Sequence, residues 1–332
     1  MTDHAISRRR FTAAALATPM LAGALAPART SDDDKPGDSP LRHAIGPVLP
    51  GLFADPHISR FGDSYYIYPT TDGQRWMSTS FQCFASKDLV HWEARGVMLD
   101  LANVTWAESK AWAPAMAQGP DKRFYFYFTA QDRVGVAASD HPDRQFSDAL
   151  GRPLIERNQF DTYPIDPMVF TDDDGASYIY FGNGRCYGAR LKPNMIELEP
   201  GTARDVTPEG PTTEFREGSF MLRRGGTYHL TWSVNDTRSP DYQVHAATAD
   251  NPFGPFTIAD NVPILFRDGV SRGTAHHSIV RLPGDDNWAI CFHRFAVPGG
   301  DGMNREVCLA PLTFDNDGHI ERVDISALRQ KA

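Results

Sequence analysis

The sequence predicts an all-β fold, a single-domain five-bladed β-propeller, and three observations carry that prediction. From about residue 45 onward, short apolar or aromatic runs of four to seven residues alternate with clusters of Gly, Asp, Asn and Pro. No stretch sustains the 3.6-residue period of a long amphipathic helix. A turn followed by an aromatic-rich strand recurs five times, and a short motif stands at a matching distance ahead of each recurrence, polar in four of the five.

The recurring strands come in order as Tyr65-Tyr66-Ile67-Tyr68, Phe124-Tyr125-Phe126-Tyr127-Phe128, Tyr178-Ile179-Tyr180, Tyr228-His229-Leu230-Thr231-Trp232 and Trp288-Ala289-Ile290-Cys291. With Tyr65, Tyr125, Tyr178, Tyr228 and Trp288 as markers, the steps are 60, 53, 50 and 60 residues. Such a unit is long enough for a four-stranded sheet, and five of them describe five blades around an axis. A second echo, small residues then Asp, follows at Ala85 to Asp88, Ala138 to Asp140 and Ala247 to Asp250. A β-sandwich in jelly-roll order is the rival. Its strands pair across two sheets, and it gives no reason for a repeat number of five.

The first 28 residues read as a twin-arginine signal peptide. Arg8-Arg9 sits in the context Ser7 to Thr12, an apolar run follows from Ala13 to Ala26, and Ala26-Pro27-Ala28 offers small residues to a signal peptidase. The expected location is periplasmic or secreted, with the twin-arginine export machinery as a partner. Residues 29–44 read as a disordered linker, and 45–332 as the propeller. No other segment has 18 consecutive apolar residues, so no membrane association is expected after signal cleavage. The four cysteines form no CxxC pair, which disfavours a structural zinc site. They read as mostly free, buried thiols, with Cys291 and Cys308 the one pair to test for a disulfide. A net charge of −9 argues against nucleic acid or an anionic membrane and leaves neutral polysaccharides open.

The motifs ahead of the markers are Asp55-Pro56-His57, Trp112-Ala113-Pro114, Asp166-Pro167, Glu217-Gly218-Ser219 and His276-His277-Ser278. If each marker lies on the second strand of a blade, these motifs lie on the first, innermost strand and converge at one end of the channel. Three carboxyls, a histidine and an aromatic would then meet. Hydrolysis of a glycoside needs such a set: one carboxyl protonated to donate to the leaving oxygen, one ionised to activate water or attack. A third negative group keeps the acid protonated by like-charge repulsion. Each motif alone also reads as a turn. Five at one phase do not. Two other motifs, Asp172 to Gly175 and Asp315 to Gly318, lack the acidic residue that a calcium loop places at its end, and they read as hairpin turns.

These motifs, with Phe292-His293-Arg294-Phe295, resemble glycoside hydrolase family 43, from about Pro47 to the end. The resemblance implies an inverting mechanism with Asp55 as general base, Glu217 as general acid and Asp166 as the residue that tunes and orients the acid. It also implies a channel position for His276, where a hydrated calcium ion can be contacted largely through water. Ala275 replaces the glycine common before that histidine. Arg294 resembles an arginine aimed at sugar hydroxyls, and Trp112, Trp76 and Phe53 are candidates to stack on a sugar ring. The expected partner is a polysaccharide or oligosaccharide. Thr70 to Gly73 and Gly299 to Val307 look most like exo-acting α-L-arabinofuranosidases. The xylosidases of the family often carry an additional β-sandwich, and this chain ends soon after its fifth repeat. β-Xylosidase, endo-arabinanase and galactan-directed hydrolase are the alternatives within the family. A carbohydrate-binding propeller and a retaining fructosidase are the alternatives outside it.

Overall fold

The computed structural model describes residues 41–210 and 214–331. The twin-arginine segment and most of the expected linker lie outside the described residues. The described chain folds into five antiparallel sheets in strict chain order. The first blade holds β1 (Phe53–Phe61), β2 (Ser64–Thr71), β3 (Ser80–Ser86) and β4 (Glu93–Asp100). The second holds β5 (Trp112–Gln118), β6 (Phe124–Ala130), β7 (Arg133–Ser139) and β8 (Ser147–Asp148). The third holds β9 (Met168–Thr171), β10 (Ser177–Phe181), β11 (Tyr187–Arg190) and β12 (Arg204–Asp205). The fourth holds β13 (Glu217–Arg224), β14 (Thr227–Val234), β15 (Gln243–Ala249) and β16 (Thr257–Ile258), and the fifth β17 (Ala275–Arg281), β18 (Trp288–Phe295) and β19 (Arg305–Leu312). No α-helix occurs among the described residues.

The first strands β1, β5, β9, β13 and β17 pack on one another in a closed ring, and the five markers all fall on second strands. This placement explains why those strands are apolar throughout instead of alternating. In β6, Phe124, Phe126 and Phe128 face the first blade, while Tyr125 and Tyr127 face the third. Both faces of the sheet are covered, so neither needs polar residues. Burying each such ring contributes about 1.5–3 kcal/mol, and the layers between blades take the place of one central core.

The fifth sheet has three strands of its own. A segment from the start of the fold completes it: Ile45 exchanges both backbone hydrogen bonds with Leu309 at 2.8 and 2.9 Å, and Val48 donates to Val307 at 2.9 Å. This closure moves the folded boundary. Leu41 and Ala44, expected in the linker, are buried in the two side-chain layers that flank the fifth sheet. All four cysteines are free. Cys291 pairs in register with Leu309, and Cys308 with Phe292, so the two thiols point to opposite faces of one sheet and cannot bridge.

Candidate active site

Each first strand enters the channel through the same backbone kink. Asp55, Ala113, Asp166, Gly218 and His276 have φ of 46°, 40°, 56°, 61° and 41°. Left-handed residues cost an L-amino acid roughly 1–2 kcal/mol, least for Gly and tolerably for Asp, Asn and His. In four of the five strands the kink coincides with a register shift against the second strand. Such bulges re-aim side chains, here into the channel mouth. In four of the five blades the N–H of the kink is taken up by the second strand of the blade before it. Asp55 donates to His293 Nδ1 at 3.1 Å, Ala113 to Thr70 Oγ1 at 2.7 Å, Asp166 to Thr129 Oγ1 at 2.9 Å, and His276 to Ser233 Oγ at 3.0 Å.

The fourth blade breaks this pattern, with a chemical consequence. The third blade offers Gly182 and Asn183 at the end of β10, where the others place a hydroxyl or imidazole. The N–H of Gly218 turns instead to Asp166 Oδ2 at 3.2 Å, and Asn183 Nδ2 donates to Glu217 Oε2 at 2.5 Å. Asp166 thereby fixes the backbone beside Glu217. A side chain at Gly218 would press on Ser233 Oγ and the His276 ring at 3.1–3.2 Å.

Above the kinks opens a pocket of about 200 Å³ lined by Asp55, Trp76, Trp112, Asp166, Glu217 and His276, with Arg216, Asp236, Thr237, Arg238 and Arg305. Six of the eight side chains singled out from sequence therefore meet there. Two do not. Phe53 is buried in the layer between the fifth and first blades, edge-on to Phe84 at 5.1 Å. Arg294 is 2% exposed, donates to Glu306 Oε1 and Ser271 Oγ at 2.8 and 2.9 Å, and does not line the pocket. The reason is strand alternation: Arg294 stands opposite Glu306, so it points away from the face on which its neighbour His293 meets Asp55.

The arginine that contacts the base is Arg305, at the start of β19. Its Nε and Nη2 bind Asp72, at 2.8 and 3.3 Å, and its Nη1 reaches Asp55 Oδ1 at 3.0 Å. Sequence reasoning missed it because it follows a long loop and shares no phase with the repeat. Tyr242, which donates to Glu217 Oε1 at 2.8 Å, was equally silent.

The electrostatics divide the carboxyls. Burial would raise Asp55, but Arg305, His276 Nδ1 at 3.4 Å and His293 outweigh it and hold Asp55 well below the usual carboxyl range. Burial likewise drives His293 down to about 3, so it is neutral, and its 3.3 Å approach to Asp55 is no ion pair. Asp166 is pushed well up by burial, then by the charges of Glu217 and Asp55. Glu217 is pushed up by burial, against His276, the Tyr242 hydroxyl and Arg216. Asp166 and Glu217 titrate together as one pair that keeps a proton beside an ionised Asp55.

Residues 45–320 match the family model of glycosyl hydrolases family 43. The chain belongs to that family. Family 43 enzymes are inverting glycoside hydrolases, and this chain is one. It is 32% identical over 297 residues to a β-D-galactofuranosidase of Aspergillus niger, covering 85% of this chain and 86% of the relative. It is 28% identical to xylosidase/arabinosidase 43A of Humicola insolens, covering 83% and 98%. Among solved structures it resembles a family 43 β-xylosidase/α-arabinofuranosidase from a compost metagenome, in complex with xylotriose in a calcium-free form. That likeness has a TM-score of 0.73 at 27% identity, over 85% and 97% of the two chains.

Asp166, Glu217 and His276 place one ligand atom each within 4.8 Å of one another, and a metal could in principle bridge them. They fit calcium poorly. Calcium wants six to eight oxygens, whereas this family 43 site offers two carboxyls and one nitrogen. A cation on Glu217 would also hold it ionised, as an acid cannot be. Beneath them the channel narrows to about 20 Å³ between Asp55, Asp166, three histidines and three prolines, which is room for one water. Dialysis against a chelator is therefore expected to change the hydrolysis rate by less than about twofold. A larger, calcium-restored loss would place an ion at the site.

Proposed function

We propose that this enzyme is an exo-acting α-L-arabinofuranosidase. The observation that supports exo action is the closed side of the pocket. Loops of three blades interlock over it: Trp76 Nε1 donates to the Gly302 carbonyl at 3.0 Å, Arg305 Nη1 donates to Thr237 Oγ1 at 3.2 Å, and the Arg238 guanidinium lies 5.9 Å from the Trp76 ring. A pocket of this size lies below the roughly 300–1,000 Å³ of ordinary small-molecule sites, which suits one terminal ring. Asp55, ionised, takes a proton from the water that attacks the anomeric carbon. Glu217 gives a proton to the glycosidic oxygen as the carbon–oxygen bond breaks, and the configuration inverts. Asp166 keeps the proton on the pair and holds the backbone at Gly218.

The Aspergillus niger relative favours a second reading, β-D-galactofuranosidase. The two are stereochemically close: β-D-galactofuranose carries the ring configuration of α-L-arabinofuranose and adds one exocyclic carbon. The deciding experiment measures initial rates on the 4-nitrophenyl α-L-arabinofuranoside, β-D-galactofuranoside and β-D-xylopyranoside. Arabinoside preference is expected. Xyloside preference overturns the sugar assignment and leaves the chemistry intact. In the same assay Glu217→Gln is expected to cost roughly 10²–10⁴-fold on arabino-oligosaccharides. It should cost much less on the 4-nitrophenyl glycoside, whose leaving group needs little protonation. An equal loss on both would remove Glu217 from the acid role.

A further inference from the structure

Tyr242, just ahead of β15, is fully buried. Its hydroxyl donates to Glu217 Oε1 at 2.8 Å and lies within hydrogen-bond reach of the Ser233 hydroxyl. Its ring lies nearly flat on His293, with centroids 5.7 Å apart and planes 20° apart. His293 in turn accepts the backbone N–H of Asp55. One packed pair thus runs from the backbone of the base to the carboxyl of the acid.

The two ends of this pair differ in what they can do. His293 is committed, because Nδ1 already accepts a proton-bearing nitrogen. A phenol is a rotor that both donates and accepts. Ser233 Oγ accepts the N–H of His276, so its own proton is free for the Tyr242 oxygen. When Glu217 is ionised, the Tyr242 proton is directed to it. When Glu217 carries the proton, the phenol oxygen needs to donate nothing to it and leaves that proton for the leaving group.

We propose that Tyr242 is a positioning residue that follows the charge of Glu217 and sets the pH above which the general acid is lost. The proposal rests on the reading of Glu217 as that acid. The charged and titratable groups facing Glu217 are Asp55 and His276 on the first strands, Asp166 before β9, the adjacent Arg216, and Arg238 across the rim. None of them is altered by Tyr242→Phe, which keeps the ring and its stack on His293 and removes only the donor. The ionised carboxyl then has one hydrogen bond fewer, so Glu217 holds its proton to higher pH and is a weaker acid once there.

The test is the pH profile of kcat/KM for wild type, Tyr242→Phe and Glu217→Gln, on phenyl and 4-nitrophenyl glycosides of whichever sugar wild type cleaves best. In Tyr242→Phe the alkaline limb is expected to move up by about one unit. The rate should fall about tenfold on the phenyl glycoside and less than about twofold on the 4-nitrophenyl one. A loss of packing would lower both rates together and leave the limb in place. Replacement of Tyr242 by 3-fluorotyrosine, a stronger donor of nearly the same shape, is expected to move the limb down, and it serves if the phenylalanine variant folds poorly. An unmoved limb in both Tyr242 variants, with Glu217→Gln abolishing it, overturns the proposal alone. A limb that survives in Glu217→Gln overturns the acid assignment and the proposal with it.

Discussion

Asp55→Asn is expected to lower kcat/KM by roughly 10³–10⁴-fold, to the same extent whatever the leaving group. The variant keeps the shape of the side chain and removes the one carboxylate of the trio Asp55, Asp166 and Glu217 that is held ionised. No neighbour can take its place. Asp166 and Glu217 are both raised by burial, so the nearest carboxyls are poor bases in the range where the wild type works. The pH profile gives a second reading of the same substitution. Asp55 ionises below the usual carboxyl range, so wild-type activity is lost as pH falls through that low value and persists at acidities where an ordinary carboxyl would already be protonated. In Asp55→Asn that acidic limb should vanish. Retention of more than about a tenth of the wild-type rate, or a loss confined to poor leaving groups, would move the base elsewhere. The leaving-group pattern distinguishes this loss from that of Glu217→Gln.

The parts of this enzyme that were legible in its sequence are those the repeat writes five times. The aromatic runs gave the second strands because a propeller covers both faces of each sheet, so β6 cannot hide its phenylalanines in an alternating pattern. The motifs ahead of them gave the first strands because all five share one kink, and Pro56, Pro114 and Pro167 follow three of those kinks directly. Whatever occurs once was not legible. Arg305 is placed by a loop that folds back over Trp76, and its task is visible only when Asp72, far off in the chain, is seen to grip it. Tyr242 and Asn183 converge on Glu217 from two different blades. Arg294 shows the opposite failure. The family likeness chose an arginine in the right strand, but the period of two turned it toward Glu306. The end of the expected linker departs for a related reason: Leu41 and Ala44 are buried beside a segment that pairs with β19 across nearly the whole chain, a distance no local signal spans.

Arg305→Ala should be the most destabilising single change at the site. The guanidinium is buried and neutralises two carboxylates, Asp72, whose side chain is wholly buried, and Asp55. Removing one partner of a buried ion pair costs about 3–5 kcal/mol, because the remaining charges are left unpaired in a poor solvent. A domain of this size should lose on the order of 10 °C in Tm. The pH dependence separates this cause from a simple cavity. Asp55 has its folded pKa depressed, so the stability it contributes is present above the unfolded value near 4 and is lost as pH falls through the folded one. The gap in Tm between wild type and Arg305→Ala should therefore be widest near neutrality and narrow on acidification below about pH 4. A gap that stays constant down to pH 3 would show that packing, not charge, is what Arg305 supplies. Arg305→Lys refines the point. A lysine can keep one positive charge near Asp55 but cannot bind Asp72 through a fork and reach a second carboxylate as well. It should recover part of the neutral-pH stability and part of the acidic limb of activity, whereas Arg305→Ala should raise that limb toward the ordinary carboxyl range. The base stays ionised in acid because an arginine from the last blade, anchored by an aspartate of the first, is held against it where the propeller closes, with His276 and His293 beside it.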